Sequence, residues 1–283
     1  MPNAPTQLRQ LPIWNDNYIY LLRRGSRALV VDPAQAEPVL SWLERHPEVK
    51  LEAVLNTHHH PDHTGGNQAL HDATGCEVIG PAHDQERFPA LTRGAAVGER
   101  LEVAGFELDV LDVRAHTRSH IAYALLAPVH EVIRHGHHGA PTVAPALADR
   151  PVLFVGDALF AAGCGRLFEG DGEQLHAALS TLAAQDPRSL VACAHEYTEG
   201  NLRFAAATLP SIPAIAARLR DLDTERAGSG STVPSTLAAE LESNPFLLAL
   251  DPINAQRILS QLGADGGTPV DAVTALRRAK DHA

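Results

Sequence analysis

The chain has 283 residues, which is enough for one large domain or two ordinary ones. Hydrophobic residues make up 45% of it and charged residues 20%, as in ordinary globular proteins, and no apolar run approaches the ~20 residues that span a bilayer, so we expect no membrane partner. The net charge of −11 repels nucleic acid backbones and excludes nucleic acid as the main partner.

The amino terminus and the cysteines indicate the compartment. Residues 1–17 lack a basic region followed by a long apolar core, so we expect no secretory signal. Cys76, Cys164 and Cys193 are an odd number of cysteines at scattered spacing, which fits reduced thiols better than a disulfide framework. We therefore expect a cytoplasmic protein.

Apolar segments that end at polar or glycine-containing turns recur through the first two thirds of the chain. They predict four buried strands: Ala28 to Val31, Ala53 to Leu55, Val152 to Val155 and Leu190 to Ala194. The polar residues that follow them place functional side chains at the strand ends.

Helical and hairpin patterns lie between these strands. Pro38 to Glu44 and Glu173 to Ala184 carry apolar residues at helical spacing, and Leu101 to Val113 alternates as a hairpin does. Ala127 to Arg150 contains four histidines among Gly, Ala and Pro, and we interpret it as a solvated surface loop rather than a third metal site. Helices covering a sheet are the implied architecture, an α/β fold.

The strand pattern ends after Tyr197, and helical patterns continue to the end of the chain. This change predicts a first domain over residues 1–198, which contains the strands, and a smaller all-α domain over residues 199–283. Residues 227–235 are rich in Gly and Ser and predict a loop, and Thr268 with Asp271 predicts a capping box that begins the last helix.

A histidine-rich run follows the predicted strand that ends at Leu55. It places His58, His60, Asp62 and His63 at a strand-to-helix turn, where several side chains can enter one cleft. Imidazole and carboxylate donors together suit zinc or a similar divalent metal. The alternative is an exposed loop that binds metal only adventitiously.

Three further residues favour a built site over that alternative. His116, Asp157 and His195 each follow a predicted strand, so all the candidate ligands gather where strands end. Strand ends of layered folds are where ligands collect.

The run HxHxDH with a later His, Asp and His resembles the signature of the metallo-β-lactamase superfamily, whose fold is an αββα sandwich. The resemblance implies two divalent metal ions, zinc foremost, with iron or manganese as alternatives. It implies that the first ion is held by His58, His60 and His116, that the second ion is held by Asp62, His63 and His195, and that Asp157 binds both ions. It also implies that His59 points away and that His120 lies behind the ligands. A hydroxide shared by two such ions is a strong nucleophile near neutral pH.

Further segments resemble one family of that superfamily, glyoxalase II or hydroxyacylglutathione hydrolase, over nearly the whole chain. The segments are Trp14 to Leu22, Gly156 to Gly170, Ala194 to Thr198, Pro234 to Leu237, Asn244 to Leu247 and Arg277 to Asp281. The resemblance implies hydrolysis of the thioester S-D-lactoylglutathione to D-lactate and glutathione, with Asp62 and Asp157 as catalytic ligands. We expect a monomer that acts on this small molecule.

The resemblance also implies a glutathione site. Arg277 and Lys280 share one face of the last helix and can hold a carboxylate, although they could simply complement the helix dipole. Arg166 and Tyr197 would contact the tripeptide, and Phe168 would either wall it or be an ordinary core aromatic.

One departure and three rival functions stay open. Where the family usually has Asn-Pro-Phe-Leu-Arg, this chain has Leu248 in place of the arginine. The rivals are a persulfide dioxygenase of the same superfamily, a lactonase or β-lactamase, and an inactive binding scaffold.

Overall fold

The structure is a computed structural model that describes residues 4–283. Its described part contains two β-sheets. In spatial order the first sheet consists of Thr142–Val143 (β11), Glu131–Arg134 (β10), Thr6–Ile13 (β1), Asn17–Arg24 (β2), Arg27–Val31 (β3), Lys50–Leu55 (β4), Glu77–Pro81 (β5) and Arg93–Ala95 (β6). The second consists of Ser235–Thr236 (β14), Leu190–Cys193 (β13), Arg150–Gly156 (β12), Ile121–Val129 (β9), Phe106–Asp112 (β8) and Arg100–Val103 (β7).

Helices cover the outer faces of these sheets and fill the carboxy-terminal region. They are Glu37–Glu44 (α1), Pro61–Thr64 (α2), Asn67–Thr74 (α3), Gly172–Ala183 (α4), Thr198–Thr208 (α5), Pro213–Arg226 (α6), Leu237–Ser243 (α7), Pro245–Leu248 (α8), Pro252–Leu262 (α9) and Pro269–Asp281 (α10). Among residues 4–283 no helix combines the length and apolar character needed to cross a membrane.

Alternating side chains along β2 reveal the layers. Tyr20 and Leu22 belong to the core between the two sheets, whereas Leu21 belongs to a second core beneath α1, where it joins Trp42. Successive strand residues point to opposite faces, so one strand serves both cores. The architecture is therefore the αββα sandwich, with the helical carboxy-terminal region attached.

The sequence patterns predicted these elements well. The four predicted strands are confirmed as β3, β4, β12 and β13, the two predicted helices as α1 and α4, and the predicted hairpin as β7 and β8. Helix α10 begins with the predicted capping box of Thr268 and Asp271. Cys76, Cys164 and Cys193 are buried and free, as expected of small apolar residues.

The prediction of a solvated loop over residues 127–150 was wrong for much of that segment. Strand β10 pairs in parallel with β1, so the segment extends the first sheet through buried residues such as Val132. His137 lies against the ring of Tyr18, and its Nε2 atom is 3.0 Å from the carbonyl oxygen of Ile13. The segment is tied to the sheet because its apolar residues Val132 and Ile133 pair with Leu8 and Arg9 of β1, far away along the chain.

The carboxy-terminal region also contributes a strand that its helical pattern did not predict. The two residues of β14 pair antiparallel with β13 and extend the second sheet. A strand this short carries no alternation to detect. It fixes the helical region directly to the strand that leads into His195.

Candidate metal centre

Strand β4 leads into the histidine-rich run, which lies at one edge of the sandwich. The strand ends at Leu55, and α2 begins at Pro61, so residues 56–60 form a tight connection between them. The buried carboxylate of Asp32 accepts hydrogen bonds from the backbone N–H and the hydroxyl of Thr57, at 2.8 and 2.7 Å. These bonds fix the start of the run, and the side chains that follow enter one cleft.

Three imidazoles converge on one point of this cleft. The Nε2 atoms of His58 and His116 lie 3.0 and 3.1 Å from Nδ1 of His60. His58 and His116 are buried, while His60 is half-buried at the edge of the cavity. The three ring nitrogens form a group able to hold one ion.

A second group lies beside the first. The Oδ2 atom of Asp62 is 3.9 Å from Nε2 of His63 and 3.6 Å from Nε2 of His195. These three ligand atoms lie within 4.8 Å of one another, which again suits one ion.

Asp157 connects the two groups. Its Oδ1 atom is 3.3 Å from Nε2 of His63 and 3.5 Å from Nε2 of His195, and its Oδ2 atom is 3.6 Å from Nε2 of His116. The structure therefore brings all seven predicted ligands together, the two oxygens of Asp157 facing different groups.

Buried polar atoms in this cluster fit bound metal. Within residues 4–283 neither Nε2 of His63 nor Oδ1 of Asp157 has a hydrogen-bond partner, although both atoms are buried. Such orphaned atoms are rare because their desolvation is costly. Imidazole nitrogens and carboxylate oxygens are the donor set for divalent metals such as zinc, so the residues fit the ions.

Burial and neighbouring charges set the protonation states of these side chains. Burial lowers the pKa of His58 well below its usual value, and burial together with the neighbouring His116 lowers the pKa of His60 to about 4. Burial would raise the pKa of the Asp157 carboxyl, but the interactions with His63 and His195 outweigh burial and lower it. Near neutral pH His58 and His60 are therefore neutral and Asp157 is ionised. Burial would lower the pKa of His63, but the carboxylates of Asp157 and Asp32 outweigh burial and raise it well above its usual value, so a metal bound there would displace a proton.

The remote ring nitrogens are held by partners that sequence reasoning missed. His63 Nδ1 lies 3.0 Å from Asp32, and His195 Nδ1 lies 3.0 Å from Asp16. His116 Nδ1 lies 2.8 Å from the carbonyl oxygen of Arg166. Such partners set the tautomer and direction of a ligating imidazole.

The two other histidines of this region behave as the resemblance implied. The imidazole of His59 contacts the guanidinium of Arg87 instead of joining the cluster. His120 is fully buried, stacks on His58 at 4.5 Å, and accepts a hydrogen bond at Nε2 from the backbone N–H of Asp157.

A cavity of about 980 Å³ opens above the cluster. Phe168 and Tyr197 form exposed walls beside the predicted ligands: the Phe168 ring is 5.2 Å from the ring of His116, and the Tyr197 ring stacks on His195 at 4.8 Å. The expectation that Phe168 could be a core aromatic was wrong, because its side chain is 63% exposed.

Basic side chains line another part of the cavity. Arg166 is exposed, with its Nε atom 3.6 Å from Asp281, and Lys280 is half-buried, with Nζ 5.0 Å from the ring centre of Phe204. Burial and the neighbouring Arg277 lower the pKa of Lys280 to about 8. Arg277 lines the cavity too.

Arg277 is much less available than Lys280. It is 3% exposed, and its guanidinium donates to the Cys164 carbonyl at 2.8 Å and pairs with Asp281 at 3.0 Å. The shared helix face brings both cations to the cavity, but Arg277 is engaged within the protein.

Comparison with known proteins decides the family. The Metallo-beta-lactamase superfamily model matches residues 13–195, and the model of the Hydroxyacylglutathione hydrolase C-terminus matches residues 196–283. A curated hydroxyacylglutathione hydrolase of Pseudomonas aeruginosa (strain LESB58) is 41% identical over 278 residues, 98% of this chain and 99% of that protein. The chain belongs to the hydroxyacylglutathione hydrolase family. A relative of the same name from Rhodospirillum rubrum is 40% identical, covering 97% of this chain and 98% of its own.

Solved structures share the fold of this hydroxyacylglutathione hydrolase family member. A metallo-beta-lactamase from Staphylococcus aureus matches with a TM-score of 0.60 at 16% identity, over 97% of this chain and 71% of its own. ETHE1 from Myxococcus xanthus matches with a TM-score of 0.60 at 22% identity, over 97% and 99%. Identities this low establish the αββα fold alone.

The departure from the hydroxyacylglutathione hydrolase pattern at Leu248 lies at the end of α8. The leucine is partly buried and packs against the main core. Apolar contact therefore stands at this position, and any ion pair that an arginine there would make is absent.

Proposed function

We propose that the protein hydrolyses the thioester of S-D-lactoylglutathione to D-lactate and glutathione. The observation that carries this proposal is one cavity that joins Asp157, at the meeting point of two metal-binding groups, with the cationic Lys280 and Arg166. Glutathione carries carboxylates that these cations can hold while the thioester reaches the metal ligands. The name of the curated relatives, hydroxyacylglutathione hydrolase, supports the same substrate.

We assign seven side chains as ligands of two zinc ions. The first ion is assigned to His58, His60 and His116, the second to Asp62, His63 and His195, and Asp157 is assigned to both. When bound, such ions lower the pKa of water from ~15.7 towards ~7 and polarise a carbonyl oxygen. Zinc suits this donor set, and iron or manganese are the alternatives.

The chain's own residues bind and orient the reactants. The carboxylates of Asp62 and Asp157 accept hydrogen bonds from the attacking water and direct its oxygen toward the thioester carbon. The water loses one proton to solvent as the new carbon–oxygen bond forms, and the carbon–sulfur bond breaks. Glutathione leaves as the thiolate, and the acid loses the second proton of the water to solvent. Phe168 forms a wall against which the tripeptide packs.

Cationic side chains hold the other end of the substrate. Lys280 and Arg166 are assigned to the glycine carboxylate, and Tyr197 donates a hydroxyl hydrogen bond to the peptide. Arg277 is engaged within the protein and contributes only its positive charge to this part of the cavity. We assign catalysis to a domain of residues 1–198. The glutathione site is assigned to the helical domain of residues 199–283 together with Arg166, Phe168 and Tyr197 of the first domain.

A comparison of two thioesters tests this assignment. We expect S-D-lactoylglutathione to be cleaved with a much higher kcat/KM than S-lactoyl-N-acetylcysteamine, which lacks the tripeptide carboxylates. The Lys280→Ala variant should remove most of the difference by raising KM for the first substrate only. Equal rates for both thioesters in the unaltered protein would contradict glutathione recognition.

The rival activity is persulfide dioxygenation. Oxygen uptake with glutathione persulfide, without thiol release from lactoylglutathione, would favour that rival over hydrolysis. The helical region that supplies Lys280 matches the hydroxyacylglutathione hydrolase C-terminus model, and this favours hydrolysis.

We further propose that the protein is a cytoplasmic monomer. The three buried cysteines, which form no disulfide, are consistent with a reducing compartment.

A further inference from the structure

A tight turn directly follows Asp157 in the loop that leaves β12. Phe160 and Gly163 exchange two backbone hydrogen bonds, each of 3.0 Å, and Ala162 within the turn adopts a left-handed conformation with φ of 57°. A non-glycine residue in this region costs conformational energy, so other contacts must stabilise the turn.

Side chains from the carboxy-terminal helices supply those contacts. The amide of Asn244 donates to the carbonyl oxygens of both Phe160 and Gly163 at 3.0 Å. The carboxylate of Glu240 accepts the N–H of the strained Ala162 at 2.8 Å. The amide of Asn201 donates to the carbonyl of Ala161 at 2.9 Å in the same way.

The polar groups that hold this turn are completely enclosed. Glu240 and Asn244 are 0% exposed, and Glu240 pairs with the buried Arg218 at 2.8 Å. A buried ion pair gains little over well-packed apolar residues of the same volume, because both charges must be desolvated. Hydrogen bonds to the backbone groups of the turn fix its position, and apolar side chains of the same volume could not make them.

The turn stands between two parts of the metal cluster. It begins three residues after Asp157, and the loop then returns so that the carbonyl of Arg166 lies 2.8 Å from Nδ1 of His116. The return is close: a Cβ on Gly165 would lie 2.0 Å from the backbone oxygen of Asp157. A displaced turn therefore moves both the Asp157 carboxylate and the partner of His116.

We propose that Asn244 and Glu240 are positioning residues for the metal centre. They act through the turn at residues 160–163 on Asp157 and on the orientation of His116. The proposal rests on the ligand assignment of the proposed function. The carboxy-terminal helices then have two roles, because they line the substrate cavity and also fix the position of the assigned metal ligands.

The Asn244→Asp variant tests this role. The replacement retains an acceptor for the N–H of Phe246, which Asn244 now caps, but it removes the donor and turns an oxygen toward two carbonyl oxygens. The matched control is Thr236→Ala, which removes the cap of α7 through Ala239 N–H. In the described part of the chain the Thr236 side chain makes no hydrogen bond to the turn at residues 160–163. Thr236→Ala weakens a helix start and leaves the turn alone, whereas Asn244→Asp keeps its cap and disturbs the turn.

Metal retention is the measured quantity, because it needs no substrate. Each protein is loaded with zinc and then incubated with a chelator, and the retained zinc per chain is followed over time. We expect Asn244→Asp to lose zinc about tenfold faster or more, within the range for outer partners of metal ligands, with KM unchanged in the loaded enzyme. Thr236→Ala should retain zinc like the unaltered protein.

Two results would overturn the proposal. One is zinc retention in Asn244→Asp equal to that of the unaltered protein; the other is equal acceleration in Thr236→Ala, which would indicate general loosening of the fold. If Asn244→Asp does not fold, Asn201→Ala carries the same comparison by removing one bond to the turn. An enzyme with another substrate would still show the retention difference, so a failure of the proposed activity is distinguishable.

Discussion

The carboxylate of Asp32 contacts the imidazole of His63: its Oδ2 atom lies 3.0 Å from the Nδ1 atom of the ring, and both side chains are buried. The bond leaves the Nε2 atom of His63 facing Asp157 at 3.3 Å. Asp32 has a positive φ of 50°, an unfavourable backbone conformation for a residue with a side chain. The fold thus accepts local strain at the residue that orients a proposed metal ligand.

We expect Asp32→Asn to weaken metal binding by about 10- to 100-fold, the usual cost of losing an outer partner. The amide cannot supply the same charged acceptor to His63 and Thr57. Zinc affinity measured by competition with a chromophoric chelator checks this, with Asp72→Asn on the exposed face of α3 as the control. Unchanged affinity in Asp32→Asn would remove Asp32 from the centre.

Asp157→Ala should abolish most turnover and reduce zinc content. The substitution removes the one carboxylate that faces both metal-binding groups, so its effect on kcat/KM should exceed the ~10- to 100-fold effect of an outer partner. Thiol release and metal content are measured on the same preparation. Near-normal turnover with full metal content would refute the bridging role.

Substrate affinity should fall as the pH rises through about 8, where Lys280 deprotonates. Its pKa lies below the usual lysine value, so the cationic form that binds a carboxylate is complete only below that pH and is lost above it. A pH profile of kcat/KM, which reports the free enzyme, checks this. In Lys280→Arg the alkaline fall should disappear, because arginine stays charged; a persistent fall would assign it to another group.

Gly165→Ala should impair the centre, whereas Gly267→Ala should not. A Cβ on Gly165 would lie 2.0 Å from the Asp157 oxygen and 2.9 Å from Nδ1 of His116, but a Cβ on Gly267 would meet nothing within 4 Å. Since the neighbours of Gly165 are a backbone oxygen and a proposed ligand, the loop must shift. We expect lower kcat and lower zinc content in the first variant only; equal behaviour of the two would contradict the close approach.

The fold and the candidate site were predictable where one stretch of sequence carries the signal. The apolar run ending at Leu55 predicted β4, and the histidine pattern after it predicted the cluster. Asp157 and His195 could be predicted because each ends its own strand.

Features that depend on distant pairing could not be predicted in this way. Asp32 and His63 are 31 residues apart, and Asp16 and His195 are 179 apart, so no local pattern joins them. The engagement of Arg277 was missed because its partner is the backbone carbonyl of Cys164, which has no residue-type signature. Strand β10 was missed because only its pairing with β1 makes it a strand.

Hydrolysis of S-D-lactoylglutathione at a metal centre requires bound metal, so removal of the metal should stop thiol release. Thiol release is measured on the purified protein, then after removal of metal, and again after zinc is restored. We predict rapid release, loss of nearly all of it on chelation, and recovery with zinc. Release that persists in metal-free protein, or no release from fully zinc-loaded protein, would contradict the account.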